Sequence, residues 1–187
     1  MPAIILGRHG PTEWTSAHRI QGHTDIPLSL EGQDKVTRMA VLLKRHQNIR
    51  IRRIVCSDLS RAYQTALVVC VVLDIPMTAI IRDDRLRECR YGKLEGLTVD
   101  EARRLTGEPL TATEPPYPYD YTPWGGEDYL AVLTRHLTAI IDHGHELLDC
   151  QEAGLLIIGH GRGLGTVLHH FKQPPKMQPG TYRLLQL

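Results

Sequence analysis

The segment AIILGRHG, residues 3–10, connects a run of apolar residues directly to Arg8 and His9. The run predicts a short buried strand over residues 3–7, with the charged residues at the point where the strand ends. A second apolar run, over residues 155–158, leads in the same way into Gly159-His160-Gly161. Because open α/β sheets bind ligands at the carboxyl ends of their strands, the two junctions predict a shared site that contains both histidines.

Strands and helices alternate along the rest of the chain. Further strands are predicted over residues 51–56 and 77–81, with a closing edge strand over 182–187. A helix is predicted over 30–47 with Ser29 as its N-cap, and a second helix is predicted to run from a cap at Asp58 or Ser60 to about residue 73. Further helices are predicted over 98–105, 127–148 and 161–171. This order predicts an α/β fold: a single domain over residues 1–187, with a mostly parallel central sheet flanked by helices on both faces.

The composition argues against several classes of partner. The net charge is only +1 with neutral histidines, which favours neither nucleic acid nor a membrane surface as a partner. No apolar stretch approaches the roughly 20 residues of a membrane span, and the N-terminal run is too short for a signal peptide. The four cysteines lie far apart, and Cys56 and Cys70 fall in apolar runs that predict free buried thiols. We therefore expect a cytoplasmic protein without a disulfide framework.

Residues 107–125 are rich in proline and tyrosine and fit neither a regular helix nor a strand. An ordered loop of this length inside a compact domain is usually functional, and we predict a lid insertion. The alternative is a docking peptide for SH3-type domains, since Pro115 and Pro118 form a minimal PxxP motif. The position of the tract inside the domain favours the lid.

Several short blocks of sequence follow one another in an order that is typical of a known protein family. They are RHGPTEW (8–14), QG (21–22), DIPLS (25–29), SDLSRAYQTA (57–66), LRECRYGKLEG (86–96), GGE (125–127) and GHG (159–161). Together they resemble the histidine phosphatase superfamily, also called the phosphoglycerate mutase-like family, over about residues 3–171. A three-letter motif alone would be weak evidence, whereas ordered blocks of this number are specific.

The resemblance implies a role for each catalytic position. His9 corresponds to the nucleophile that becomes a phosphohistidine, a role that suits imidazole because its free pKa is about 6.5. Arg8, Arg61 and His160 correspond to an electrostatic clamp around the phosphoryl oxygens. Glu88 corresponds to the general acid that protonates the leaving oxygen and then activates water. Without the resemblance, Glu88 would be interpreted as a solvated charge in a charged loop.

The resemblance also implies a set of substrate and phosphate contacts, with some departures. The positions concerned are Thr15, Gln21, Gly22, Arg90, Tyr91 and Gly161. Thr15 replaces the usual Asn and loses its amide, and Pro11 replaces a common acidic residue. Arg162 stands where a small residue is common, and either binds a second anionic group at the pocket mouth or points into solvent. No metal or other cofactor is expected, because the histidine pairs 143/145 and 169/170 lack zinc-ligand spacing.

Three functions are compatible with these residues. The favoured hypothesis is a phosphatase that transfers the phosphoryl group of a small phosphorylated metabolite from His9 to water. The second is a cofactor-dependent phosphoglycerate mutase, which the comparatively short segment from Glu88 to His160 disfavours because a short lid leaves the pocket open to water. The third, a phospho-ligand binding protein without turnover, is disfavoured by the intact catalytic set.

Overall fold

Five strands form one sheet within the part of the chain that the computed structural model describes, residues 3–45, 50–107, 117–147 and 153–186. The strands are β1 (Ala3–Arg8), β2 (Arg50–Cys56), β3 (Ile80–Arg82), β4 (Ala153–Gly159) and β5 (Tyr182–Leu184). Their order across the sheet is β3-β2-β4-β1-β5, and β5 alone runs antiparallel. The α/β class predicted from the sequence, with its mostly parallel sheet, is therefore confirmed.

Helices cover both faces of the sheet. They are α1 (Glu13–Ser16), α2 (Leu30–Arg45), α3 (Ser60–Leu73), α4 (Val99–Thr106), α5 (Tyr129–His145) and α6 (Gly161–His170). Strand β4 is buried along its whole length, as expected for a strand covered on both sides. Leu156 and Ile158 pack with α2 and α3, whereas Leu155 and Ile157 pack with α5 and α6. This alternation fixes which helices flank the carboxyl edge of the sheet.

The helix caps were predicted correctly at one position and wrongly at another. Ser29 caps α2 as predicted, since its Oγ accepts a hydrogen bond from the Gly32 N–H at 3.1 Å. Neither Asp58 nor Ser60 caps α3, whose N-cap residue is Leu59. Instead, Asp25 from a distant loop accepts hydrogen bonds from the Ser60 N–H and hydroxyl at 2.8 and 2.7 Å. Asp58 forms an ion pair with Arg87 instead, so the cap predicted from the residues next to α3 is wrong.

Other elements also differ from the sequence predictions, among them the edge strand β5, which ends at Leu184, before its predicted end. Residues 77–79 form a 3₁₀ turn after Pro76, and β3 starts only at Ile80, where it pairs with the last residues of β2. The segment predicted as a loop over residues 8–28 contains α1, which Thr12 caps. Helix α5 begins at Tyr129, and its N-cap Asp128 accepts from the Ala131 N–H. The predicted ends of the helices at 47 and 148 lie outside the described residues.

The remaining expectations concern cysteines, membranes and the proline-rich tract. Cys56, Cys70 and Cys89 are buried and free, and burial raises the pKa of Cys56 to about 12, which makes its thiol unreactive. No described helix is long and apolar enough to cross a membrane. Residues 108–116 of the predicted lid, with Pro115 of the alternative docking motif, lie outside the described residues.

Candidate active site

The parallel register of β1 and β4 brings the two predicted histidines together. Arg8 pairs with Gly159 across the sheet, so the next residue of each strand lies at the same carboxyl edge. The His9 N–H donates to the Gly159 carbonyl at 3.0 Å. The imidazole rings of His9 and His160 have centroids 5.0 Å apart, and both side chains are buried. We call the group formed by Arg8, His9, Arg61 and His160 the histidine end of the site.

The protonation state of His9 follows from its surroundings. Burial, with Arg61 and Arg8 nearby, holds the pKa of His9 well below its usual value, so the imidazole is neutral at pH 7. Its Nδ1 lies 2.6 Å from the Gly10 carbonyl, which can only accept a hydrogen bond. The proton of the neutral ring is therefore on Nδ1, and Nε2 carries the lone pair. This is the form of imidazole that can attack phosphorus.

Arg61 connects the second histidine to the loop before α2. Its Nε donates to His160 Nδ1 at 3.2 Å, and its two terminal nitrogens donate to the Thr24 and Gly22 carbonyls at 2.9 and 2.7 Å. Because Nδ1 of His160 accepts, the neutral ring carries its proton on Nε2. That nitrogen is buried and has no hydrogen-bond partner among the described residues. Burial, followed by Arg61 and His9, also lowers the pKa of His160 well below its usual value.

Two glycines make this geometry possible. Gly22 has φ of +51°, a left-handed conformation that side chains rarely adopt, and a Cβ there would collide with the Glu95 carboxylate. Gly161 lies so close to Arg8 that a Cβ would come within 2.8 Å of the guanidinium carbon. Both glycines were predicted as ligand contacts. Their surroundings show a second reason for glycine at these positions: a side chain there would occupy the space that Glu95 and Arg8 fill.

The Glu88 side chain lies against the N-terminus of α6, the helix that directly follows His160. Its Oε1 accepts hydrogen bonds from the Gly163 and Cys89 N–H groups at 2.8 and 2.9 Å, and its Oε2 accepts from the Arg162 N–H at 3.1 Å. The carboxyl group is thus held by backbone donors at a helix N-terminus rather than solvated in a loop. Oε2, with a single backbone contact, is the oxygen that has room for a proton or a substrate.

A single cavity of about 380 Å³ joins these groups. Its lining includes Arg8, His9, Arg61 and Glu88, while His160, which contacts His9 and Arg61, is fully buried. Among the predicted contacts, the lining includes Thr15, Gln21, Gly22, Tyr91 and Gly161. The Thr15 hydroxyl is already engaged, since it accepts from Gln21 Nε2 and from the Thr12 N–H, both at 3.1 Å.

Arg90 is the one predicted contact that the structure places away from the cavity. Its side chain is exposed and does not line the cavity, and its backbone N–H donates to Glu127 Oε2 at 2.8 Å. Its carbonyl accepts from the Glu127 N–H at 2.9 Å. The structure therefore does not bring the Arg90 side chain to the cavity, because the local backbone pairs with Glu127, and substrate contact by Arg90 stays a prediction.

The structure decides between the two positions that the sequence allows for Arg162, and it adds tyrosine partners that the sequence does not indicate. Arg162 is only 6% exposed and lines the cavity, so it does not point into solvent. Its guanidinium carbon lies 5.3, 4.4 and 5.4 Å from the ring centroids of Tyr117, Tyr119 and Tyr121. We call Glu88, Arg162 and these three tyrosines the tyrosine end of the site. The abundance of tyrosine in the proline-rich tract was the only sequence signal for it.

A second segment missed in the sequence is the loop of residues 175–179, which lines the cavity with Lys176 and Met177. Arg8 Nη1 donates to the Met177 carbonyl at 2.5 Å, so this loop also fixes a residue of the histidine end. Nothing in the local sequence distinguishes these residues from an ordinary connection. Among the described residues, no group of three or more His, Cys, Asp or Glu side chains is placed to hold a metal ion.

The arrangement defines a class of protein. A neutral buried histidine between two arginines and a second histidine, at the carboxyl edge of a parallel sheet, is a site suited to a phosphoryl group. The chain belongs to the histidine phosphatase superfamily (branch 1), whose family model matches residues 4–186. The resemblance of the sequence blocks is thereby confirmed.

Curated relatives and solved structures agree with this family. The chain is 32% identical over 140 residues to phosphoglycerate mutase-like protein 4 of Arabidopsis thaliana, covering 73% of this chain but only 58% of the relative. It is 31% identical over 172 residues to the probable phosphoglycerate mutase GpmB of Yersinia pestis, covering 90% of this chain and 74% of the relative.

Among solved structures, YhfR of Bacillus stearothermophilus matches with a TM-score of 0.80 and 30% identity, covering 100% of this chain and 92% of that one. A mycobacterial glucosyl-3-phosphoglycerate phosphatase matches with a TM-score of 0.79 and 25% identity, covering 100% and 90%. The similar proteins therefore bear the names of mutases as well as of phosphatases.

Proposed function

We propose that the protein is a phosphomonoester hydrolase that acts on a small phosphorylated metabolite through a phosphohistidine at His9. One observation carries the proposal: His9 lines a cavity that also contains Glu88, and the contact of its Nδ1 with the Gly10 carbonyl leaves Nε2 to carry the lone pair. The similarity to a glucosyl-3-phosphoglycerate phosphatase supports hydrolysis as the reaction.

The reaction has two displacements. His9 Nε2 attacks phosphorus, the bond from phosphorus to the ester oxygen breaks, and Glu88 gives its proton to that oxygen. Glu88 then takes a proton from water, whose oxygen attacks phosphorus and breaks the phosphorus–nitrogen bond. Inorganic phosphate leaves, and both residues return to their starting states. Arg8, Arg61 and the Nε2–H of His160 stabilise the charge on the phosphoryl oxygens in both steps.

The test is rapid quenching of the protein with p-nitrophenyl phosphate in the presence of EDTA. We expect release of nitrophenol and a phosphoprotein that is labile to acid and stable to alkali. His9→Ala should lower turnover by about 10⁴–10⁶-fold and abolish the phosphoprotein. His145→Ala, which removes an exposed histidine of α5, is the matched control. Neither product nor phosphoprotein in the wild type would leave a phospho-ligand binding protein as the remaining hypothesis.

A phosphoglycerate mutase is the second candidate, because one relative is named a probable phosphoglycerate mutase and another a phosphoglycerate mutase-like protein. A mutase returns the phosphoryl group from His9 to a second hydroxyl and needs a bisphosphorylated primer. Incubation with 3-phosphoglycerate, with and without bisphosphoglycerate, separates the two reactions. Formation of 2-phosphoglycerate faster than inorganic phosphate would favour the mutase.

A further inference from the structure

The peptide group between Gly22 and His23 lies between two opposite charges. Its carbonyl oxygen, which belongs to Gly22, accepts a hydrogen bond from Arg61 Nη2 at 2.7 Å. Its N–H, which belongs to His23, donates to Glu95 Oε1 at 3.1 Å. The positive end of the peptide dipole thus meets the carboxylate, and the negative end meets the guanidinium. Hydrogen bonds that share one peptide group polarise each other, so each contact strengthens the other.

The Glu95 carboxylate also holds the next residue of the same loop. Its Oε2 accepts from the N–H and the hydroxyl of Thr24 at 3.0 and 2.9 Å, and its Oε1 accepts from the Tyr91 N–H at 3.0 Å. Donors on every side suit the ionised carboxyl group, which only accepts hydrogen bonds. The Thr24 carbonyl accepts from Arg61 Nη1 at 2.9 Å. Glu95 therefore fixes both residues whose carbonyls orient the two terminal nitrogens of Arg61.

Arg61 is a buried cation whose described hydrogen bonds all go to neutral acceptors, two carbonyls and His160 Nδ1. A buried charge is costly unless an opposite charge compensates it. Burial lowers the pKa of Arg61, and three carboxylates oppose that effect, those of Glu88, Asp25 and Glu95. Glu88 changes its protonation state in the proposed reaction, and Asp25 is exposed, so solvent screens its charge. Glu95 is the half-buried carboxylate whose charge stays constant.

The indirect contact keeps the guanidinium available for a ligand. The described contacts of Arg61 leave one N–H group on each terminal nitrogen, and the cavity lining includes this side chain. A carboxylate in direct contact would occupy those donors and compete with a phosphoryl group. Glu95 acts through the peptide instead, and its own side chain is not part of the cavity lining.

We propose that Glu95 is a positioning residue for Arg61: through the carbonyl groups of Gly22 and Thr24, it holds the guanidinium in the orientation that binds the phosphoryl group. Glu95 balances the buried charge while the site is empty, and it does not touch the substrate. This positioning role rests on the proposed hydrolysis at His9, and it adds the residue that prepares the electrostatic clamp before the substrate binds.

The test is a double-mutant cycle that measures the binding of orthovanadate, an oxyanion that resembles a phosphoryl group, by isothermal titration calorimetry. Glu95→Gln keeps the size of the side chain but removes its charge, and should weaken binding by about tenfold. Arg61→Gln should weaken binding by about 10- to 100-fold. In the double variant, Glu95→Gln should add a loss of less than about twofold, because the guanidinium through which Glu95 acts is gone.

The matched control is Glu31→Gln, which removes the same charge from an exposed position on α2 and should bind orthovanadate like the wild type. A carboxylate that only stabilised the fold would weaken binding by the same factor with or without Arg61. Losses that multiply in the double variant would therefore overturn the proposal.

A second measurement does not require a variant of the buried Arg61. The Arg61 Nε–H donates to His160 Nδ1, so its proton gives a signal of its own in ¹H–¹⁵N NMR spectra. We expect this signal to keep its position in Glu31→Gln and to shift or broaden in Glu95→Gln, because the guanidinium loses its fixed orientation. An unchanged signal in Glu95→Gln would overturn the proposal.

Orthovanadate binding also separates failure of this inference from failure of the proposed function, since it needs no turnover. If the wild type hydrolyses nothing but Glu95→Gln weakens binding only where Arg61 is present, the proposed function fails and the positioning role stands. If the wild type hydrolyses p-nitrophenyl phosphate but the two losses multiply, hydrolysis stands and the positioning role is overturned. A wild type that does not bind orthovanadate would overturn the positioning role as well.

Discussion

The histidine end and the tyrosine end of the cavity are built by different means. His9 and His160 directly follow two paired parallel strands, and Arg61 lies in the first turn of a helix that packs on the same sheet. At the tyrosine end, Glu88 follows a 3₁₀ turn, and Tyr117 and Tyr121 come from the proline-rich tract. Sheet register brings the two histidines of the first end together, whereas the second end depends wholly on contacts between segments distant in sequence. The two ends should therefore respond differently to substitution.

The largest expected effect at the tyrosine end concerns the acid. Glu88→Gln keeps the size of the side chain but removes its proton donor. We expect turnover of an alkyl phosphate such as glycerol 3-phosphate to fall by about 10²–10⁴-fold. Turnover of p-nitrophenyl phosphate should fall far less, because nitrophenolate leaves without a proton. Steady-state rates with both substrates provide the measurement, and Glu101→Gln on the exposed side of α4 is the control. An equal loss on both substrates would remove Glu88 from the acid role.

At the histidine end, Arg61→Gln should affect all substrates alike. Loss of one charge-stabilising donor should lower kcat by about 10²–10³-fold whatever the leaving group.

The pH profile of the Arg61→Gln variant should change as well. Arg61 helps hold the pKa of His9 below its usual value, and only neutral His9 is a nucleophile, so activity should persist below pH 6.5 in the wild type. In the variant, the acidic limb of kcat/KM should move upward in pH. An unmoved limb would contradict the assignment of His9 as the titrating group.

The difference between the two ends also decided what the sequence could predict. Each residue of the histidine end lies in a short motif at a strand end or in a helix turn, and parallel pairing brings such positions together without further information. The position of the Arg162 side chain could not be predicted from the sequence in the same way. Its orientation depends on Tyr119 and Tyr121, more than 40 positions away, and no local periodicity encodes that contact.

Departures of the structure from the sequence predictions follow the same physical pattern. The N-terminus of α3 is capped by Asp25, from a distant loop, although Asp58 and Ser60 were closer in sequence. Arg90 faces outward because its backbone pairs with Glu127, which lies 37 positions away. In both cases the prediction used residues close in sequence, whereas the structure forms a hydrogen bond with a residue far away in sequence.

A smaller effect is expected from Arg135, which supports the tyrosine end without lining the cavity. Its guanidinium donates to the carbonyls of Arg85, Arg87 and Glu88 at 2.5–2.8 Å and pairs with both carboxylate oxygens of Glu127 at 2.9 Å. Arg135→Met would leave these acceptors unpaired and loosen the segment that carries Glu88. We expect a loss of about tenfold in kcat on glycerol 3-phosphate, with little change in KM.

The same variant distinguishes positioning from a general loss of stability. If Arg135 acts through Glu88, the loss on p-nitrophenyl phosphate should be smaller than the loss on glycerol 3-phosphate. Arg103→Gln, which breaks an exposed ion pair with Asp100 on α4, should change neither rate. A uniform loss on both substrates, matched by a lower melting temperature, would show that Arg135 only stabilises the fold.

The smallest effect concerns His136 of α5, a fully buried histidine behind Gly163 at the tyrosine end. Burial, with Arg135 nearby, lowers the pKa of His136 to about 3, while its Nδ1 donates to the Val132 carbonyl. The folded protein thus holds a neutral imidazole that the unfolded chain protonates below about pH 6.5. Its contribution to stability is complete above pH 6.5 and is lost as the pH falls toward 3.

His136→Leu should therefore flatten the dependence of stability on pH. Between pH 7 and pH 5, the wild type should lose about 2 kcal/mol more free energy of unfolding than the variant, from about 1.4 kcal/mol per pH unit below 6.5. Urea unfolding at the two pH values gives the comparison, with His145→Leu as an exposed control. His9 and His160 stay in both proteins and contribute a loss in the same direction, so the difference isolates His136. Equal losses in His136→Leu and the wild type would show that His136 is not held neutral, and that the tyrosine end tolerates a charge beneath it.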